Sequence, residues 1–170
     1  DNAIENVTFT VGLTYMGEAL YVTRTEVMNP SNGDRAFASD VIILMTDGES
    51  NDPRFSAIIE AQDIRQDESN MIICIGVVGT NGQSPQTNYT ELVDIAGTPD
   101  HVFDNVSLAD ISSIIDLVVA QFPCQAPTLC AGNVGFVIET SEVMAENNIR
   151  IAEDMAITMA GNLTYSNNTR

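Results

Sequence analysis

Basic side chains are scarce in this chain. Lysine and arginine together number 6 against 24 aspartates and glutamates, which gives a net charge of −18 at pH 7. Nucleic acids and anionic membranes would be repelled by such a chain, so we expect neither as a partner. Divalent cations and basic protein surfaces are compatible with this charge, and a solvated acidic surface that serves solubility alone is the alternative.

Histidine and cysteine are too few for the common zinc sites and nucleophilic centres. The chain has one histidine, His101, and three cysteines, with no CxxC pair. No Ser/His/Asp or Cys/His grouping is visible in the sequence, so we expect the protein not to be an enzyme. Glu49 and Asp52, close to Asp47, have the residue types of a general acid/base pair, but a solvated loop is the better interpretation.

The sequence also lacks an initiator methionine, a signal-peptide pattern and any apolar run long enough to cross a bilayer. We therefore expect no membrane insertion. Asp1 begins the sequence without a leader and Arg170 ends a polar stretch. We expect both ends to be cuts through a longer polypeptide.

Asparagines in N-x-S/T sequons are numerous for a chain of 170 residues. They suggest a secreted, extracellular glycoprotein, with acceptor sites at Asn6, Asn88, Asn105, Asn162 and Asn167. Cys124 and Cys130 bracket a short proline-containing segment, as disulfide partners at a domain edge would in an oxidising compartment. Cys74 lies within an apolar run and is predicted to be a buried free thiol.

The most informative stretch is residues 41–46, where consecutive apolar side chains show no polar alternation. Such a run predicts a strand buried on both faces, as in a parallel sheet. Asp52 and Pro53 then predict the N-cap and first residue of a helix. Because open α/β sheets bind ligands at the carboxyl ends of their strands, Asp47 is predicted to lie at the functional edge. A plain Asp-Gly turn is the alternative.

Apolar strands alternate with helical patterns along the whole chain. This alternation predicts an α/β fold with a Rossmann-like parallel sheet flanked by helices. The predicted strands are 41–46, 71–78, 101–103 and 134–138, and the predicted helices are 12–28, 53–66, 89–96, 107–122 and 144–160. The strand-and-helix pattern starts again at residue 133, after a linker at 126–132.

Four segments resemble the von Willebrand factor type A (vWA) domain, also called the integrin I-like domain. The family patterns are G-x-T-x-T-G-x-A-L, from which this chain departs at Met16, then ILLTDG-x-S, I-x-x-IGVG and ELxxIA. The matching segments are 12–20, 42–50, 72–79 and 91–96.

The order of these segments implies an incomplete or permuted vWA-like fold. Residues 1–125 are expected to be the later part of one domain, and residues 133–170 the first strand and helix of a second domain in a tandem array. The alternative is a permuted single unit. In that case strand 134–138 fills the open edge of strand 41–46, which lacks the first strand of its own domain.

The family's metal-ion-dependent adhesion site implies a role for Thr14, which matches its threonine, and Asp47, which matches its aspartate. A hard cation such as Mg²⁺ or Ca²⁺ takes oxygen ligands, and a partner's carboxylate completes the shell. Helix capping and chain turning are the alternative for both residues. Glu139 and Ser141 stand where D-x-S-x-S is expected. The longer glutamate and the non-ligating Val143 predict a degenerate copy, for which a plain turn is the alternative.

The resemblance implies an extracellular adhesion or matrix module, next to neighbouring vWA domains of the parent chain. Its expected partners are collagen-like or other matrix proteins and cell-surface proteins. A structural array in a secreted matrix is the alternative, with an acidic surface that binds calcium or mineral and no working adhesion site.

Overall fold

The computed structural model describes residues 13–35, 38–46, 50–77, 88–106, 114–116, 132–138, 150 and 152–158. Within these ranges four parallel strands form one sheet in the order β3-β2-β1-β4. The strands are β1 Ser39–Thr46, β2 Met71–Val77, β3 Val102–Val106 and β4 Gly132–Ile138. With helices on both faces, this sheet confirms the predicted Rossmann-like α/β fold.

Strands β1 and β2 form the centre of the core. Their side chains are buried along nearly the whole length of each strand, which is what an apolar run without polar alternation requires. The two strands pair in parallel from Val41 opposite Met71 to Thr46 opposite Gly76. Successive side chains therefore supply two separate apolar layers, one on each face of the sheet.

Three helices have defined bounds: α1 Met16–Val22, α2 Ala57–Ile64 and α3 Tyr89–Ala96. α1 continues into a π-helical turn, Thr23–Val27, and short 3₁₀ turns occupy Pro30–Asn32 and Pro99–His101. All three helices pack on the face of the sheet formed by Ile42, Leu44, Ile72 and Cys74. The buried residues that they contribute are Met16, Leu20, Ala57, Ala61, Ile64, Leu92, Ile95 and Ala96.

The predicted start of α2 is wrong. Its N-cap is Ser56, whose hydroxyl oxygen accepts a hydrogen bond from the Ile59 N–H at 3.4 Å. The predicted cap, Asp52, and the predicted first residue, Pro53, lie in the loop that precedes the helix. The local pattern was ambiguous because both Asp52 and Ser56 have side chains that cap helices.

The opposite face of the sheet is covered by residues 114–116 and 152–158, both helical. Ile114, Ala152, Met155 and Ala156 are buried there against alternate residues of β1 and β2. The rest of the predicted helices 107–122 and 144–160 lies outside the described residues.

β4 lies beside β1 in parallel through seven pairs, from Ser39 opposite Gly132 to Met45 opposite Ile138. The edge of β1 that the sequence predicts to be open is thus filled by the strand that follows the linker. Since Met155 and Ala156 share a core with Val41 and Ile43, β4 and residues 152–158 pack as one body with β1. How the parent chain divides into domains, at 1–125, 126–132 and 133–170, stays a prediction.

None of the helices in the described part of the chain is long and apolar enough to cross a membrane.

Cys74 is a buried free thiol, as the sequence predicts. It lies mid-strand in β2 opposite Leu44, and burial raises its pKa to about 12, against a small opposing effect of Arg65. Because the thiolate is the reactive form, the native protein should react with a disulfide reagent at pH 8 at least ~100-fold more slowly than the urea-unfolded chain. Absorbance after mixing measures both rates, and a Cys74→Ala variant supplies the background. Equal rates in buffer and in urea would contradict the burial.

Candidate metal centre at the carboxyl edge of the sheet

Thr14 lies against the loop that follows β1. Only 1% of the surface of Thr14 is exposed to solvent. The Thr14 N–H donates to Asn51 Oδ1 at 2.8 Å, and the Asn51 N–H donates to the Thr14 carbonyl at 3.1 Å. β1 ends at Thr46, which is fully buried. The reciprocal pair therefore holds Thr14 at the carboxyl end of β1, directly before α1.

Asp52 joins the same loop to α1. Its side chain is fully buried, and its carboxylate accepts hydrogen bonds from three backbone N–H groups. The donors are Glu18 at 2.8 Å, Arg54 at 2.8 Å and Phe55 at 3.2 Å. Burial by itself raises the pKa of Asp52, but the three hydrogen bonds and the nearby Arg54 charge outweigh it, so the pKa lies below its usual value.

These contacts correct two expectations for Asp52. It does cap a helix, but the helix is α1. The Tyr15 side chain, at the N-cap of α1, makes no capping hydrogen bond, and the Asp52 carboxylate accepts from the Glu18 N–H instead. Its carboxylate is also buried and fixed by N–H donors, whereas a solvated loop residue was expected. An Asp before Pro signals a cap, but the helix that it serves is 34 residues away.

Glu91, in the first turn of α3, reaches the other side of this loop. The Ser50 N–H donates to Glu91 Oε2 at 3.1 Å. The backbone of Glu91 is fixed in turn, since its N–H donates to Oδ1 of the N-cap residue Asn88 at 3.3 Å. Asn51, Asp52 and Glu91 were not predicted as site residues. Glu91 falls within a segment that resembles the family, but its partner 41 residues away has no local signal.

A close helix contact and an aromatic cluster flank the edge. A Cβ on Gly17 would lie 2.1 Å from the Phe55 carbonyl oxygen, so only glycine allows α1 to approach the loop this closely. Phe55 stacks on Tyr21 with ring centroids 4.6 Å apart. The Arg54 guanidinium lies 5.6 Å from the centre of the Tyr15 ring and forms an ion pair with Glu18. These contacts pack Arg54 and Phe55 against α1 and its N-cap residue, Tyr15.

The other predicted site residues are only partly described. Asp47 follows the last residue of β1 and lies outside the described residues, as do Glu139, Ser141, Cys124 and Cys130. Among the sequon asparagines, Asn88 caps α3 and Asn105 lies in β3, whereas Asn6, Asn162 and Asn167 lie outside the described ranges. The structure therefore places Thr14 but leaves its predicted metal-binding partners as predictions.

The side-chain oxygens described at this edge are ligand atoms that fit a hard cation better than a soft one. Thr14 has a hydroxyl, and Asn51 and Glu91 offer side-chain oxygens, which suit Mg²⁺ or Ca²⁺. The softer groups lie elsewhere: Cys74 is mid-strand in β2, and His101, whose pKa is lowered by burial despite Asp100, precedes β3. Within the described ranges no three His, Cys, Asp or Glu side chains come together as a metal cluster.

The fold of this chain is similar to solved structures of one known protein. Proximal thread matrix protein 1 (PTMP1) from the mussel byssus is 31% identical in sequence to this chain, and its structure superposes with a TM-score of 0.53. A second structure of that protein, described as having a zinc-occupied MIDAS motif, is 31% identical with a TM-score of 0.54. Each match covers 69% of this chain but only 27% of the mussel chain.

No curated protein matches this chain. The sequence model of the von Willebrand factor type A domain matches residues 1–117. That range includes β1 to β3, α1 to α3 and the edge formed around Thr14. The chain belongs to the von Willebrand factor type A domain family.

Proposed function

We propose that this chain is an extracellular matrix module that binds protein ligands through a divalent cation at the carboxyl edge of its sheet. The family assignment and the likeness to a mussel byssus matrix protein support a matrix role. The observation that carries the metal site is the position of Thr14, which is buried and tied by two hydrogen bonds to Asn51 in the loop after β1.

In this proposal Thr14 and Asp47 hold the cation, and Mg²⁺ or Ca²⁺ supplies an open position for a carboxylate of the partner. Asn51 and Asp52 keep the loop in place whether or not metal is present. The register pairs Met45 with Ile138, so Glu139 follows β4 as the chain leaves the same edge at which Asp47 follows β1. Glu139 and Ser141 would then take the place of the family's D-x-S-x-S ligands, with weaker metal binding.

The chain's acidity favours one second candidate, a structural matrix module with a calcium- or mineral-binding surface. A net charge of −18 attracts divalent cations over the whole surface without any defined site. Such binding would be weak, would involve many ions and would fall steeply with added salt. The two candidates therefore differ in the number and strength of their sites.

Replacing Asp47 with alanine should remove one tight site for Mg²⁺ or Ca²⁺ and weaken binding there at least ~100-fold, since a charged ligand is lost. Thr14→Val, which keeps the shape but loses the hydroxyl, should weaken the same site, whereas Thr14→Ser should not. Isothermal titration with each metal measures the affinity and the number of sites.

Asp67→Ala is the matched control for this titration. Asp67 lies in the turn before β2, at the amino edge of the sheet, where it accepts hydrogen bonds from Ser69, and its loss changes the net charge equally. If Asp67→Ala and Asp47→Ala weaken metal binding equally, the acidic-surface candidate replaces the adhesion site. Binding to immobilised fibrillar collagen with metal or with chelator then tests the ligand class.

We also propose that the module is secreted, that its sequon asparagines carry glycans and that Cys124 and Cys130 form a disulfide. The five sequons and the spacing of the two cysteines support this proposal. Other vWA domains of the parent chain and cell-surface proteins remain proposed partners.

A further inference from the structure

We propose that Glu91 is a positioning residue for the proposed metal site, because it holds the loop after β1 at Ser50. The Ser50 N–H donates to Glu91 Oε2 at 3.1 Å, and this contact joins the loop after β1 to the first turn of α3. The inference rests on the proposed function, because it assigns to Glu91 a role in holding Asp47 in place for the cation.

Glu91 stands on a rigid base. α3 is anchored in the core by Leu92, Ile95 and Ala96, which are at most 2% exposed. Its N-terminus is capped by the Asn88 side chain. Its last turn is held by Arg65, which donates to the Asp94 carbonyl at 3.0 Å. A carboxylate on such a helix holds its acceptor oxygen at a fixed point relative to β2.

The loop is held on two sides by adjacent residues. Ser50 is held by Glu91 on the α3 side, and Asn51 is held by the backbone of Thr14 on the α1 side. In the sequence, Asp47 stands between Thr46, the buried end of β1, and this pair of anchors. Losing the anchor at Ser50 removes one of the two fixed points that follow Asp47 in the chain and so increases the entropy cost of placing a ligand there.

The expected loss of metal affinity can be taken from other metalloproteins, in which second residues orient the metal ligands. Removing a residue that orients a ligand without touching the metal typically costs 10–100-fold in metal affinity. Glu91→Ala should therefore weaken Mg²⁺ binding about tenfold or more. Glu91→Gln keeps an oxygen at the same position, so its affinity should stay within about twofold of the parent protein; that result would separate the hydrogen bond from the negative charge.

The experiment combines two measurements on the parent protein, Glu91→Ala and Glu91→Gln. Hydrogen exchange of the metal-free proteins reports on the Ser50 amide, which should exchange faster in Glu91→Ala and at the parent rate in Glu91→Gln. Titration with Mg²⁺ should show the same order. The thermal midpoint is recorded for all three, because a purely structural role would lower it in proportion to the loss of affinity.

The outcomes separate this inference from the proposed function. If Asp47→Ala abolishes the tight site and Glu91→Ala leaves both exchange and affinity unchanged, only the role of Glu91 is wrong. Equal loss in Glu91→Ala and Glu91→Gln also overturns it, because charge and not position would then matter. If Asp47→Ala binds metal as the parent does, the adhesion site itself is wrong, whereas exchange at Ser50 still tests the contact.

Discussion

A chain that ends at residue 131 should lose its cooperative unfolding transition. The truncation removes β4, which pairs with β1 through seven residue pairs. It also removes residues 152–158, which cover the face of the sheet that includes Val41, Ile43 and Met45. Val41, Ile43 and Met45 of β1 would be left facing water, and the backbone edge of β1 would be left unpaired. Circular dichroism in a urea series and binding of a hydrophobic dye measure the loss.

The same experiment decides between the two domain interpretations. If 1–125 and 133–170 belong to separate units, the truncated chain should unfold with the midpoint and slope of the full chain. If they form a permuted unit, a peptide of residues 132–158 added in trans should restore the transition. Failure of the peptide together with a normal transition in the truncated chain would reject the permuted unit.

Two substitutions in residues 152–158 give a matched pair for this test. Met155 is fully buried against the core, whereas Ile157 is 38% exposed. Met155→Asp should cost about 4 kcal/mol or more, because it buries an unpaired charge, and Ile157→Asp should cost less than about 1 kcal/mol. Both change the net charge equally, so urea midpoints that fall equally would show that the face is not packed as described.

The core could be predicted from the sequence because its signal is local. Residues 41–46 and 71–77 are apolar without alternation, and only a strand covered on both faces can bury such a run. The helix between them carries its apolar residues at helical spacing, and a strand–helix–strand order predicts two parallel strands. The pairing of β4 with β1 was left open, because a strand pattern specifies that it needs a partner but not which edge it joins.

The loop after β1 could not be predicted in detail because its contacts are long-range. Asp52 has the local pattern of a cap for α2, yet its carboxylate also accepts a hydrogen bond from Glu18 in α1. These two residues are 34 positions apart in the chain, and only tertiary packing brings them together. Gly17 makes that packing possible, because it leaves room for the backbone of Phe55. From the sequence alone, a glycine within a helix does not indicate which backbone segment will pack against it. Thr14 was predicted as a site residue from the resemblance to the family. Its hydrogen bonds to Asn51 show that it lies beside the loop after β1, at the carboxyl edge of the sheet.

Replacing Asp52 with alanine should lower the free energy of unfolding by about 3 kcal/mol at pH 7. The substitution leaves the N–H groups of Glu18, Arg54 and Phe55 without their acceptor, and each such loss in a partly buried place typically costs 1–3 kcal/mol, reduced where water reaches the group. Urea unfolding monitored by circular dichroism measures the change. Asp52→Asn, which keeps one oxygen acceptor, should lose less than half as much.

The pH dependence gives an independent check on the same carboxylate. Its pKa in the folded protein lies below the ordinary 3.8, so the unfolded chain binds the proton more readily and stability rises with pH in this range. The contribution of Asp52 is complete above about pH 4 and is lost as pH falls through the lower folded pKa. The difference in stability between the parent and Asp52→Ala should therefore be constant from pH 5 to 7 and shrink below about pH 3.8. A difference that stayed constant to pH 2 would mean that the contribution of Asp52 does not depend on the charge of its carboxylate.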